Sequence, residues 1–309
     1  MATLLDAPSA PARRVPPPLA PGARVALVAP AGPLAGADDL ARAEANARAL
    51  GWEPVVGAHA LAHTAYFAGS DAERLADLNA ALADPRGDGI WCLRGGYGAM
   101  RILPGVDWDA LARRPRPLVG YSDVTALHAA AAARVPGLVT FHGPTARAAL
   151  TPFSRASLER ALTHAGDPCG AAPDAEILRA GTAAGPLAGG NLALLAALAG
   201  TPYLPRLRGA VVLLEDVNEA TYRIDRMLRT LLLGGALDGC AALVAGRFTN
   251  CPEPCDDDGR RTLAEVLREA GDALGVPVGH VADQWTLPLG ARAELHAGDG
   301  VRLDVAWPA

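Results

Sequence analysis

From Arg24 onward, short apolar runs alternate with longer stretches of helical periodicity, and this rhythm limits the chain to few architectures. Val25-Ala26-Leu27-Val28-Ala29 is followed by a helical stretch from Asp38 to Leu50, and Pro54-Val55-Val56 by another from Asp71 to Ala83. Continuous apolar runs suit strands covered on both faces, and strands joined through helices pair in parallel. Ser70 and Glu73 have capping-box spacing ahead of Leu75, Leu78 and Leu82, which recur at helical intervals. Gly89-Ile90-Trp91-Cys92-Leu93 and Pro117-Leu118-Val119-Gly120 continue the series as buried strands. The first half is therefore expected to be an α/β sheet, parallel, with helices on both faces. In such sheets chemistry gathers at the carboxyl ends of the strands.

At 309 residues, half of them hydrophobic, the chain is long enough for two cores. The boundaries read as a proline-rich tail over 1–22, an N-terminal domain over 23–150, a weakly patterned linker over 151–175 and a C-terminal domain over 176–309. In the last of these, Gly189-Gly190-Asn191 opens an apolar helix through Leu198, and Ala210 to Leu214 reads as a buried strand ending in Glu215-Asp216. Tyr222 to Leu233 has the charge and leucine pattern of an amphipathic helix, and Leu243 to Gly246 and Val276 to His280 read as further strands.

The charge of −5 comes without a basic run or an aromatic-basic patch, which argues against nucleic acid as a partner. All 28 basic residues are arginine. Without lysine there is no Ser-Lys dyad, no Schiff base and no phosphate-loop lysine. Five cysteines, mostly in or beside apolar segments, suit reduced thiols better than a disulfide framework. Cys251 and Cys255, followed by Asp256-Asp257-Asp258, lack the second half of a zinc site, so the segment reads as a polar loop and no metal is expected. Arg13-Arg14 precedes prolines instead of the apolar core of an export signal, and no run is long enough for a membrane span. The chain as given is expected in the cytoplasm, with no membrane partner.

Two loops meet the strand-end rule, Arg94-Gly95-Gly96-Tyr97-Gly98 and Tyr121-Ser122-Asp123. Ser122 stands where an apolar strand turns into a helix, so its hydroxyl can attack a carbonyl while the next amide stabilises the developing charge. The alternative is an idle N-cap. The glycines either bring N–H groups close to an oxyanion or only relieve a tight turn. Gly-Tyr-Ser-Asp is not the Gly-x-Ser-x-Gly of α/β-hydrolases. A base must come from the seven histidines or the carboxylates. His280 leads, since it ends an apolar run in a Gly-His step before the polar Asp283-Gln284-Trp285, and His142 is second. Glu215, in a buried strand, is a candidate to orient a histidine. Glu219, Tyr97 and Asn191 are candidate substrate contacts; Arg94 is either a carboxylate clamp or one half of a structural ion pair.

Six segments in order, Val25 to Pro30, Arg94 to Gly98, Gly120-Tyr121-Ser122-Asp123, Gly189-Gly190-Asn191-Leu192, Leu214-Glu215-Asp216 and Gly279-His280, resemble the LD-carboxypeptidases, or muramoyltetrapeptide carboxypeptidases. The resemblance implies a flavodoxin-like or Rossmann-like N-terminal domain and a C-terminal α/β domain with a swivelling or barrel-like sheet. It implies a Ser122-His280-Glu215 triad, an oxyanion hole from backbone N–H groups of Gly95 or Gly96 with Asp123, no cofactor, and a homodimer. The implied reaction is hydrolysis of the amide between a diamino acid (meso-diaminopimelate or lysine) and terminal D-alanine of a murein tetrapeptide, in peptidoglycan recycling. One branch of the family resembles a microcin-immunity peptidase acting on aminoacyl-nucleotide analogues. The segment Glu215 to Arg226, and the lack of a long insertion after Gly190, look more like the carboxypeptidase branch. A different class of reading is a non-catalytic, two-lobed small-ligand-binding protein.

Overall fold

A computed structural model describes residues 13–252 and 261–307. Residues 1–12 of the proline-rich tail, and Cys255 with Asp256-Asp257-Asp258 of the loop considered above for metal, lie outside the described residues. In chain order the first half holds β1 (Arg24–Val28), α1 (Ala37–Ala49), β2 (Glu53–Val56), α2 (Asp71–Ala83), β3 (Gly89–Cys92), α3 (Ala99–Ile102), α4 (Trp108–Arg113), β4 (Leu118–Gly120), α5 (Thr125–Arg134), β5 (Thr140–His142) and α6 (Pro152–Thr163). The second half holds β6 (Gly170–Ala172), β7 (Glu176–Ile177), β8 (Gly181–Asn191), α7 (Leu192–Leu198), β9 (Val211–Val217), α8 (Thr221–Leu233), β10 (Ala242–Thr249), α9 (Leu263–Arg268), β11 (Ala273–Leu274), β12 (Leu287–Leu289), β13 (Arg292–Ala297) and β14 (Val301–Ala306).

The first sheet runs β2-β1-β3-β4-β5, all parallel, which is the flavodoxin-like strand order. Strands β3 and β4 are apolar for the reason the sequence suggested, since both are buried at every position. The capping box of α2 forms as expected, with the Ser70 hydroxyl accepting from the Glu73 N–H and Glu73 accepting from the Ser70 N–H, a contribution of about 1 kcal/mol. Trp91, fully buried on β3, packs edge-on against Trp52 and donates its indole N–H to Pro144 O at 2.7 Å.

A sixth strand departs from the all-parallel expectation. β12 comes from the second half of the chain and pairs antiparallel with β5, Leu287 against His142. The segment before it is hooked to α6: Ser154 Oγ donates to Ala282 O at 2.7 Å, Gln284 N–H donates to Ser154 Oγ at 2.9 Å, and Thr286 N–H donates to Ser157 Oγ at 2.8 Å. The residues read as a linker thus contain α6, whose Thr151 cap and Pro152 at the first turn are ordinary helix-start chemistry.

The second sheet has eight strands, β6-β14-β13-β8-β9-β10-β11-β7, with a parallel centre and antiparallel flanks. It ends on β6 and β7 and is not a closed barrel among the described residues, which corrects the barrel-like expectation. The halves meet where α5 packs on α7 and β8. There the Asn191 N–H donates to Thr125 Oγ1 at 3.0 Å, and a Cβ at Gly190 would stand 2.7 Å from that oxygen.

Candidate active site

Ser122 follows β4 in a single turn of 3-10 helix, Ser122–Val124, that leads into α5. Its φ of +63° lies in the left-handed region, where a side chain is strained and is held only by its surroundings. That turn lifts the hydroxyl out of the sheet toward a histidine. The Ser122 Oγ lies 3.1 Å from His280 Nε2, so the hydroxyl is committed to an imidazole and is not an idle cap.

His280 stands in a loop beyond β11 and not at the end of a strand, as its apolar run suggested. The run belongs beside β10, where Arg247 N–H donates to Val278 O at 2.8 Å, and Gly279, with φ +117°, breaks any extension. The Gly-His step has a second purpose. A Cβ on Gly279 would stand 2.9 Å from Glu215 Oε2, so only glycine lets the acid approach the ring. Glu215 lies inside β9, which runs on to Val217, and its side chain is fully buried. His280 Nδ1 donates to Glu215 Oε2 at 2.9 Å, which leaves Nε2 free to accept from Ser122. A buried carboxylate on one ring nitrogen fixes the tautomer and favours a positive ring once the other takes a proton. Tyr121 closes one side, its ring centroid 4.9 Å from that of His280.

The glycine loop approaches the serine from β3. A Cβ on Gly95 would lie 2.8 Å from Ser122 Cβ and 3.3 Å from the Asp123 nitrogen, so the three backbones meet with no room for a side chain. Gly96 has φ +101°, and Gly32 N–H donates to Gly95 O at 2.8 Å, which pins the loop to the one after β1. Asp123, named above only for its N–H, also acts through its carboxylate, which accepts from Ala99 N–H at 2.7 Å and from Gly98 N–H. One residue thereby ties the nucleophile turn to the far end of the glycine loop. Burial pushes this carboxyl up to about 6, against those N–H groups and Arg74, which pull the other way.

A folded-state value raised from 3.8 to about 6 means that this group stabilises the fold fully below about pH 4 and loses that contribution as pH rises through 6. Asp123→Asn removes the titration. From pH 4.5 to 7.5 the variant is expected to gain about 2 kcal/mol relative to the parent, read from urea unfolding at both pH values. Parallel pH dependences for the two proteins contradict this.

The other expected site residues have different places. His142, the second base candidate, is fully buried on β5, and burial takes its ring down to about 3, so it stays neutral; neither of its ring nitrogens has a hydrogen-bond partner among the described residues. Asn191 is buried. It caps α7 by accepting from Leu194 N–H and donates to Asp216 at 3.0 Å, so its polar atoms are used inside the protein and the substrate-contact expectation is corrected. Arg94, half-buried, has no ion pair among the described residues; its guanidinium donates to Pro33 O. Tyr97 is exposed on the glycine loop. Glu219 precedes α8, 3.7 Å from Arg223, with one buried carboxylate oxygen lacking a hydrogen-bond partner among the described residues. Reading the sequence missed the clamping roles of Asp123 and Asp216; the signal for the second was two adjacent carboxylates in one buried strand.

Sequence profiles of the LD-carboxypeptidase N-terminal and C-terminal domains match residues 25–143 and 184–295. The chain belongs to the LD-carboxypeptidase family. A murein tetrapeptide carboxypeptidase of Pseudomonas aeruginosa is 37% identical over 91% of this chain and 94% of its own. The crystal structure of a muramoyltetrapeptide carboxypeptidase from Oxalobacter formigenes superposes with a TM-score of 0.81 at 30% identity, covering 93% of this LD-carboxypeptidase and 100% of that chain. The microcin C7 self-immunity protein MccF, solved as an active-site variant with a serine, an asparagine and a lysine replaced by alanine, shares the fold. Its TM-score is 0.84 at 23% identity, covering 95% of this chain and 99% of that one. No helix among the described residues is long and apolar enough to cross a membrane.

Proposed function

We propose that this LD-carboxypeptidase is a serine peptidase that releases terminal D-alanine from murein tetrapeptides by cutting the amide on the carbonyl of the diamino acid, in cytoplasmic peptidoglycan recycling. The observation that carries this reading is the unbroken chain Ser122 Oγ, His280, Glu215, at 3.1 and 2.9 Å. In the proposed reaction His280 Nε2 takes the Ser122 proton as Oγ attacks the carbonyl. The oxyanion is met by N–H groups of Gly95 or Gly96 and of Asp123. The C–N bond then breaks, the proton passes from Nε2 to the amine of D-alanine, and an acyl-serine remains. Water repeats the cycle with the same base and returns the serine. Glu215 holds the ring and stabilises its charge; no metal or cofactor is required. The reading includes a homodimer, which light scattering checks.

The murein substrate is favoured over an aminoacyl-nucleotide for a simple reason. The MccF active-site variant loses a lysine, and this chain has none to supply. Incubation with murein tetrapeptide beside an aminoacyl-sulfamoyl adenylate, followed by mass spectrometry, is expected to show D-alanine release from the first and no cleavage of the second. The reverse pattern identifies the microcin-immunity branch. Failure of a fluorophosphonate to label the protein, where a control hydrolase reacts, points to a binding protein without turnover.

A further inference from the structure

An enzyme that removes a terminal residue must recognise a free carboxylate close to the bond it cuts, and the proposed triad offers no fixed positive charge to meet it. The chain has no lysine, so that charge falls to an arginine. Chemistry in the first sheet gathers where its parallel strands end. The loops there, 29–36, 57–70, 93–98, 121–124 and 143–151, contain two arginines, Arg94 after β3 and Arg147 after β5.

The two differ in what they already hold. Arg147 Nη1 lies 3.4 Å from the Asp39 carboxylate, which Arg42 also meets at 3.1 Å. Arg94 has no ion pair among the described residues. Its side chain is half-buried, and of its five N–H donors one has a partner there, Pro33 O. Charges withdrawn from water are ordinarily paired, so a half-buried guanidinium with unspent donors beside a reactive serine marks a place for an anion. Of the two readings that the sequence allows Arg94, clamp or half of an ion pair, the first remains.

Its place follows from the glycine loop. The Cβ position of Gly95, the next residue, is 3.0 Å from Ser122 Oγ, so the Arg94 Cα stands within about 8 Å of that oxygen. The side chain folds along the loop, with Nε 3.9 Å from the Cβ position of Gly96 and 3.7 Å from that of Gly32. In a bound tetrapeptide only the nitrogen and Cα of D-alanine separate its carboxylate from the attacked carbonyl. A clamp on that carboxylate stands within roughly 10 Å of Oγ, once the attack distance and a charge-assisted hydrogen bond are included. The other carboxylates of the peptide lie further off, beyond the diamino acid side chain or the next peptide unit. The geometry points to Arg94 as the residue that holds the terminal carboxylate of the substrate; this rests on the peptidase reading above. Guanidinium and carboxylate meet as a fork of two parallel hydrogen bonds, and the bond to Pro33 O orients the head before substrate arrives. A peptide that ends in an amide brings no charge to this site.

The test compares kcat/KM for murein tetrapeptide ending in free D-alanine with that for the same peptide ending in D-alaninamide, in the parent, Arg94→Gln, Arg94→Lys and Arg147→Gln. The parent is expected to prefer the free acid by about 10²-fold, Arg94→Gln to bring the ratio near unity, and Arg94→Lys, charged but without the fork, to keep about ten-fold. Arg147→Gln is expected to leave the ratio as in the parent, since that charge is spent on Asp39. Loosening the loop at Pro33 would slow both peptides together. An Arg94→Gln effect of equal size on acid and amide therefore overturns the clamp while leaving the peptidase reading intact, as does a parent without preference or a preference that collapses in Arg147→Gln instead. Should Arg94→Gln not fold, Arg94→Lys decides: a reduced ratio supports the clamp and a parental ratio overturns it. A parent that cleaves neither peptide defeats the peptidase reading, and the clamp is then judged by calorimetry with the two peptides. Tighter binding of the free acid, lost in Arg94→Gln, supports it; equal affinities, or no binding, overturn it.

Discussion

Ser122→Ala and His280→Ala are each expected to lower kcat for D-alanine release by at least ~10³, with circular dichroism unchanged. The size follows from the shared proton. The Ser122 hydroxyl is a weak nucleophile unless Nε2, 3.1 Å away, removes its proton as the bond forms, so losing either partner removes the same step. The double variant should therefore be little worse than either single one. Glu215→Gln is expected to cost less, since its contribution is to orient and stabilise the ring at 2.9 Å. Near-native turnover by either alanine variant, in a folded protein, removes the basis of the proposed mechanism.

The second large effect is expected from a residue with no side chain. Gly95→Ala puts a carbon 2.8 Å from Ser122 Cβ and 3.0 Å from its Oγ, distances that real Cβ atoms essentially never show. Backbone strain is not the cause, since Gly95 is absent from the positive-φ glycines. The loop or the nucleophile must shift, and either movement misaligns the amides proposed to face the oxyanion. The expected loss is about 10²–10³ in kcat, comparable with removing one oxyanion donor. Labelling by a fluorophosphonate should slow in parallel, while Tm changes little. Unimpaired kcat means that the loop yields and is not part of the charge-stabilising site.

Legibility in the sequence followed the range of the forces involved. Strands β3 and β4 were readable because burial on both faces demands uninterrupted apolar runs, and the α2 cap because it is local chemistry between Ser70 and Glu73. The Val276–His280 run misled for the same reason: it is largely buried, as a strand would be, but its carbonyls accept from only one strand N–H, that of Arg247 of β10, and from Trp285 in a loop. Three side chains that the structure brings together, Ser122, Glu215 and His280, were legible where a motif named them. Asn191 was expected as a substrate contact, yet its amide is spent on Leu194 and Asp216. Partners 25 residues apart, as Asn191 and Asp216 are, leave no periodic trace.

β12 bears on how the protein can be divided. The C-terminal profile covers Leu287–Leu289, yet those residues complete the first sheet beside β5. A fragment ending after residue 143 would expose β5 as a bare edge, open to pairing with other chains, and would leave Ser122 without His280 and Glu215. The two halves are thus interlaced like clasped fingers, and mixing them from separate expressions should give aggregates in place of a reconstituted enzyme.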